Sequence, residues 1–122
     1  MPQLSAGGVY FVKDELITLL PEEDREAHEE RRPVVVLSGS KTNDDAVWRT
    51  VLCCPISGST SRKTAYCVAL AYGEANMTKK CWIRVPAIQP LMKDHLEDYV
   101  GALPPEKLRL LHLRLVQYMG LA

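Results

Sequence analysis

At 122 residues the chain has room for one domain with a sizeable core and not for two. An apolar fraction of 47% beside 25% charged residues is that of an ordinary globular protein. No apolar run approaches the ~20 residues of a membrane span, and the opening MPQLSAGG has neither the basic nor the apolar region of a secretory leader, so the expected compartment is the cytoplasm. Basic and acidic residues number 15 each, yet the signs separate along the chain. Residues 14–30 hold eight acids against Arg25, whereas residues 31–84 hold nine bases against Asp44, Asp45 and Glu74. A locally cationic sheet region suits an anionic ligand such as a nucleic acid; the alternative is a solvated surface whose charges cancel in space.

In chain order, Gly7 and Gly8 precede a first strand over Val9–Val12, aromatic and β-branched. A turn of helix around Leu16–Leu20 and a second short helix over Glu22–Glu30 fit the excursion that follows. Arg31-Arg32-Pro33 then opens into Val34-Val35-Val36-Leu37, a run with no period-2 alternation, which reads as a central strand buried on both faces. Pro33, lacking an N–H, is expected at its first position. Arg32, held at the mouth of a rigid strand, can clamp a phosphate or carboxylate with its forked donors, or cap the sheet edge with a surface carboxylate.

Gly39–Asp45 reads as a turn, Val47–Pro55 as a third strand, and ISGSTSRKT as a hydroxyl-rich loop carrying Ser57, Ser59, Arg62 and Lys63. Thr64–Ala71 and Lys80–Val85 complete five strands. Alternation in the fifth puts Lys80, Trp82 and Arg84 on one face, where Trp82 is either a partly buried strand aromatic or a platform for a nucleobase. Cys53, Cys54, Cys67 and Cys81 all fall in these strands without zinc-pair spacing and read as buried thiols. Met92–Tyr99 is expected as a short helix, and Pro104-Pro105-Glu106 opens a final one. Leu108, Leu111, Leu115 and Met119 pack on the sheet in this reading, Lys107 and Arg114 stay solvated, and Leu110, Leu113 and Val116 widen the apolar face.

The architecture is therefore mainly β with a C-terminal helix, α+β overall, compatible with a small SH3-like barrel of about five to seven strands in a single domain over residues 1–122. In order and spacing, GGVYFV, RRPVVVLS, VLCCPISGSTS and CWIRVPAIQPL followed by HLEDYVGAL resemble the MazF/PemK (Kid) family of toxin endoribonucleases, from Gly8 to about Gly120. The resemblance implies a CcdB-like fold, a homodimer, and a small antitoxin partner with an acidic segment. It also implies cleavage of single-stranded RNA without metal or other cofactor, by 2′-OH attack, leaving a 2′,3′-cyclic phosphate and a 5′-hydroxyl.

Carried over residue by residue, the family's arginine before proline falls on Arg32, its hydroxyl after proline-x on Ser57, its strand arginine on Arg84, and its histidine-glutamate on His28 and Glu29. Ser59, Arg62, Lys63, Lys80 and Trp82 join Glu29 as expected substrate contacts. Three positions depart from the family: Gly8 and Pro86 stand where members carry aspartates, and Ser57 keeps the hydroxyl of a threonine. Pro86 removes a candidate proton carrier, which keeps two rivals open: a relative that binds RNA without cutting it, and an interaction toxin acting on a protein target as CcdB does. On this reading Arg32→Ala abolishes cleavage and leaves the fold intact.

Overall fold

Val34, Val35 and Val36 have no exposed surface, as a central strand requires, and the rest of the fold is arranged on the two faces they define. The computed structural model describes residues 4–22, 30–59 and 63–121. Among these, seven strands form one antiparallel sheet: β1 (Gly8–Lys13), β2 (Arg31–Val36), β3 (Thr50–Ser57), β4 (Val68–Leu70), β5 (Cys81–Ile83), β6 (Gln89–Met92) and β7 (Tyr99–Ala102). The order is β4-β5-β3-β2-β1-β7, with β6 also on β3. Thr50–Cys53 of β3 pair with β6 and Ile56–Ser57 with β5, so the sheet curls into a half-barrel. The helices are the single turn α1 (Ser40–Asn43) and the 14-residue α2 (Pro105–Tyr118). This is the mainly β architecture with a C-terminal helix that the sequence implies. Among the described residues no helix is long and apolar enough to cross a membrane.

Alternation along the paired strands divides the core in two. Val9, Val35, Cys54, Ile56, Ile83 and Val85 face α2, whose Leu111 is fully buried, with Leu108 and Leu115 packed beside it. Tyr10, Val12, Val34, Val36 and Cys53 face the other way and are covered by Ile17 and Leu19 of the first excursion and by Leu91 and Leu96. Each fully buried valine contributes about 1.5–3 kcal/mol, so a strand sealed on both faces is the natural organiser of a small domain. Pro33 lies inside β2 rather than at its first position, opposite Phe11. The Phe11 N–H donates to Asp98 O (3.0 Å) and its carbonyl accepts from Glu97 N–H (2.8 Å), so the polar groups of Phe11 point away from Pro33. The missing N–H therefore costs no bond to β1, and the recorded pairing with β3 begins only at Val34.

Other expectations shift for local reasons. Leu16–Leu20 are not a helix; a 3-10 turn over Asp14–Leu16 leads into extended backbone that buries Ile17 and Leu19. Most of the helix expected over Glu22–Glu30 lies outside the described residues. The third strand starts at Thr50 because Asp45 ties a turn, its Oδ1 accepting the Val47 N–H and its carbonyl the Trp48 N–H, which leaves both side chains exposed. Cys67 lies in the turn before a shortened β4 and is half-buried; all four cysteines are free thiols.

Met92–Tyr99 is not a helix. Met92 pairs with Thr50, a 3-10 turn spans Lys93–His95, and Tyr99 begins β7 on β1, so sheet pairing overrides helical propensity. Lys93 is buried there, its Nζ donating to Thr42 O (2.7 Å) and Asp45 O (2.9 Å). On α2, Lys107 is not solvated; its Nζ donates to Ala69 O (2.7 Å) and lies 3.6 Å from Glu74. Arg114 is half-buried with Nη1 on Gln117, and Met119 is exposed rather than packed on the sheet.

Candidate active site

The register of three strands assembles the site. Val34↔Pro55, Val35↔Cys54 and Val36↔Cys53 pair β2 with β3, and beyond these pairs the Arg32 side chain reaches β3 itself, its Nη1 donating to Ile56 O beside Ser57. Ser57 pairs in turn with Trp82, and Arg32 with Val12. Alternation puts Val12, Arg32, Ser57 and Trp82 on one face of the sheet, where directly opposed Cβ atoms such as those of Ser57 and Trp82 stand about 4.5–5.5 Å apart. Arg84 belongs to the neighbouring row, its N–H donating to Pro55 O at 2.9 Å, which makes it a diagonal neighbour of Ser57. Ile83 and Val85 on either side of it belong to the α2-facing core, so Arg84 shares the opposite face with Arg32 and Ser57.

Arg32 is held by its surroundings. Its Nε donates to Asp14 Oδ1 at 2.7 Å and its Nη1 to Ile56 O at 3.2 Å, with side-chain exposure of 9% for Arg32 and 0% for Asp14. The Nη2 amino group makes no hydrogen bond among the described residues and is not one of the solvent-sealed polar atoms, so it is the donor turned outward. Ser57 is 8% exposed at the end of β3, where its Oγ accepts the Ser59 N–H at 3.2 Å and keeps its own proton to donate. Trp82 does not present an open platform: it is 7% exposed, with the ammonium groups of Lys63 and Lys80 at 5.4 and 5.6 Å from its ring centroid. Its indole Nε1 is buried without an acceptor. The structure thus brings Lys63 and Lys80 together beside Arg32, Ser57 and Trp82.

Arg32 and Arg84 border different cavities. Arg84 lines one of about 150 Å³ with Thr18, Pro86 and Gln89, while Arg32 borders a cleft of about 180 Å³ at the head of β2. Between them runs the first excursion, anchored by Asp14 under Arg32 and by Thr18, whose N–H donates to Gln89 Oε1 (3.0 Å) and whose carbonyl accepts from Gln89 Nε2 (2.8 Å). His28, Glu29 and Arg62 lie outside the described residues. Arg31 plays a different part from its neighbour: Nη1 is shared by Asp98 (2.8 Å) and Glu97 (3.1 Å), the guanidinium stacks 4.4 Å from the Phe11 centroid, and those two carboxylates raise its pKa further.

Asp14 is the residue that sequence reasoning missed, counted there only as part of an acidic run. Its place follows only from the register of the hairpin: Lys13 pairs with Arg31 and Val12 with Arg32, so the next residue on Val12's side of β1 is Asp14. Its burial also bears on the expectation that Arg32→Ala leaves the fold intact, because that change breaks an ion pair to a carboxylate with no exposed surface and so costs stability.

The model of the PemK-like, MazF-like toxins of type II toxin–antitoxin systems matches residues 15–119. The chain belongs to the PemK/MazF toxin family. Solved structures agree on the fold at low identity. A mycobacterial endoribonuclease in complex with its cognate antitoxin is 20% identical, with TM-score 0.70 over 100% of this chain and 98% of that one. The Mycobacterium tuberculosis toxin MazF-mt6 is 15% identical, TM-score 0.72, over 94% and 98%. A MazE–MazF structure from Deinococcus radiodurans is 16% identical, TM-score 0.72, over 100% of both chains. No curated protein matches this PemK/MazF-family chain in sequence.

Proposed function

We propose that this toxin is a metal-independent endoribonuclease that cuts single-stranded RNA by attack of the 2′-hydroxyl, releasing a 2′,3′-cyclic phosphate and a 5′-hydroxyl. The observation that carries the reading is the meeting of Arg32 and Ser57 on one sheet face, with Arg32 Nη1 on the Ile56 carbonyl beside Ser57 and Arg84 diagonal to the serine. Two fixed donors beside a second guanidinium suit a phosphorane, whose extra oxygen charge needs partners already in place. Arg32 Nη2 and Ser57 Oγ–H donate to its oxygens, and Arg84 adds positive charge from the adjoining row. Each such donor is worth roughly 3–4 kcal/mol in the transition state. Asp14 keeps the guanidinium in one plane, so little ordering remains to be done when RNA binds.

Proton transfer needs another group, because arginine remains charged. His28 is the first candidate and Glu29 the second. Lys63, Lys80, Arg62 and Ser59 hold the flanking backbone, with Trp82 as the base against which the two lysines are set. The solved relatives bound to a cognate antitoxin and to MazE support a small acidic antitoxin as partner. A homodimer acting in the cytoplasm completes the reading.

The test is incubation of the purified protein with a defined single-stranded RNA, with and without EDTA, and mapping of the new ends. Discrete 5′-hydroxyl cuts that survive the chelator support the proposal, and cuts that EDTA stops refute its metal-free part. One observation favours a second reading, RNA or target binding without turnover: Pro86 is on the rim of the Arg84 cavity, where some members carry an aspartate. Tight RNA binding with no cut ends would select it.

A further inference from the structure

We propose that Lys79 is a further RNA-binding residue of this toxin, whose ammonium draws a backbone phosphate to the clamp while the neighbouring Arg32 acts in the chemistry. The inference rests on the RNA-cutting reading and deepens it, separating capture of the strand from its cleavage. Residue type and spacing had not marked Lys79, since nothing in MTKKCW sets it apart from Lys80.

The clamp arginine is by itself a weak attractor for an anion. Its charge is matched at 2.7 Å by the buried carboxylate of Asp14, and opposite charges that close act on a phosphate farther off as a dipole. Arg31, on the same cleft at the head of β2, is matched twice over, by Asp98 at 2.8 Å and Glu97 at 3.1 Å. Among the described residues these two guanidiniums therefore stand against three carboxylates, a balance that holds RNA off. Lys79 is the third cation of the cleft, and no acidic residue lines it among the described residues. Its Nζ has no hydrogen bond or ion pair there either, so its charge is the one left over for a ligand.

The fold delivers that charge to the end of β3. Lys79 lies across Gly58, the residue after Ser57, where a Cβ would meet its Cε at 3.0 Å and its Nζ at 3.1 Å, so the absent side chain leaves the ammonium its place. Gly58 and Ile56 both line the cleft, and the Ile56 carbonyl accepts from Arg32 Nη1 at 3.2 Å, so lysine and guanidinium reach the same short stretch of chain. On the floor, the positive charge of Lys79 offsets part of the rise that burial gives the Cys81 thiol, as an ammonium turned toward the cleft would. The turn that carries Lys79 is braced: Ala75 (φ 51°) and Asn76 (φ 60°) are left-handed, and Asn76 Nδ2 donates to Val100 O at 2.8 Å. A lysine set on such a base, with a free head on a flexible stem, binds phosphate as a point charge.

The experiment measures binding of a 2′-O-methyl oligonucleotide, which lacks the attacking hydroxyl and stays whole, from about 0.05 to about 0.3 M salt, with cleavage of the matching RNA followed in parallel. Lys79 is exposed, so replacing it does not endanger the fold. Lys79→Gln should weaken binding about fivefold at about 0.1 M salt and lower the slope of log K against log salt by about 0.7, the loss of one phosphate contact on a single strand. Lys79→Arg should keep both. Asp14→Leu combined with Arg32→Met removes a neutral pair, so it should keep the parent's slope while abolishing cleavage. Affinity and slope unchanged in Lys79→Gln, or a slope that falls in the double variant, overturns the division of labour even if the protein cuts RNA. A parent that binds through Lys79 and cuts nothing keeps the capture role and overturns the endoribonuclease reading, and a parent that binds no RNA overturns both.

Discussion

The buried pair of Asp14 and Arg32 makes a quantitative demand on Arg32→Ala. Asp14 has no exposed side-chain surface and pairs with Arg32 Nε at 2.7 Å, so the substitution takes the arginine's charge away from a buried carboxylate. Breaking a buried pair from one side costs about 3–5 kcal/mol, against a total stability of about 5–15 kcal/mol for a domain of this kind. With a urea m-value of about 2 kcal/mol/M, the midpoint should fall by roughly 1.5–2.5 M at constant m. Replacing both partners removes both buried charges, so Asp14→Leu combined with Arg32→Met should recover most of the loss. Cleavage should not recover with it, since both proteins lack the outward Nη2 donor, a deficit of about 10²–10³ in rate. Urea unfolding followed by fluorescence, with RNA cleavage on the same samples, checks both halves. An Arg32→Ala midpoint equal to the parent's, or a double variant as unstable as the single, would refute the argument.

Burial pushes the Cys53 thiol up to about 12 from 9.0 and moves Cys54 and Tyr10 in the same direction. Their stabilising contribution is complete below pH 9 and is lost as pH rises through the folded values, at up to about 1.4 kcal/mol per pH unit for each group. Urea midpoints at pH 8, 10 and 11 should therefore decline, and less steeply in Cys53→Ala; parallel declines would count against it. Gly101→Ala should cost about 1–3 kcal/mol, since the new methyl would stand 2.9 Å from the Ala75 carbonyl, and a thermal midpoint equal to the parent's would show that the turn gives way freely. Lys93→Met removes two charge-assisted bonds, to Thr42 O and Asp45 O, and should cost about 2–3 kcal/mol with faster amide exchange over residues 40–45. Exchange unchanged there would mean that the loop holds itself.

The central strand was legible because four consecutive β-branched or leucine residues have no solvent face to offer, and the terminal helix because its apolar positions recur at helical spacing. Strands β6 and β7 were not: Met92–Tyr99 suits a helix, and only the partners waiting on β3 and β1 decide against it. Arg32, Ser57 and Arg84 could each be picked out by residue type, while their meeting on one face depends on the length of the connections that set the register. The face of Trp82 followed from alternation, but alternation is blind to what lies above a face, and here two lysines do. Asp14 stayed hidden for the same reason, since an acid in an acidic run gives no sign that it is the one turned inward.

The pairing of β1 with β7 joins Gly8–Tyr10 to Tyr99–Ala102, and the core beneath them is closed by Leu111. All three proposed clamp residues precede position 85, yet the sheet carrying them gains its last edge and its covering helix only when nearly the whole chain exists. A partly synthesised chain therefore holds the complete chemistry without the scaffold that sets it. In a toxin built this way, order at the clamp depends on a strand and a helix that follow it in the chain.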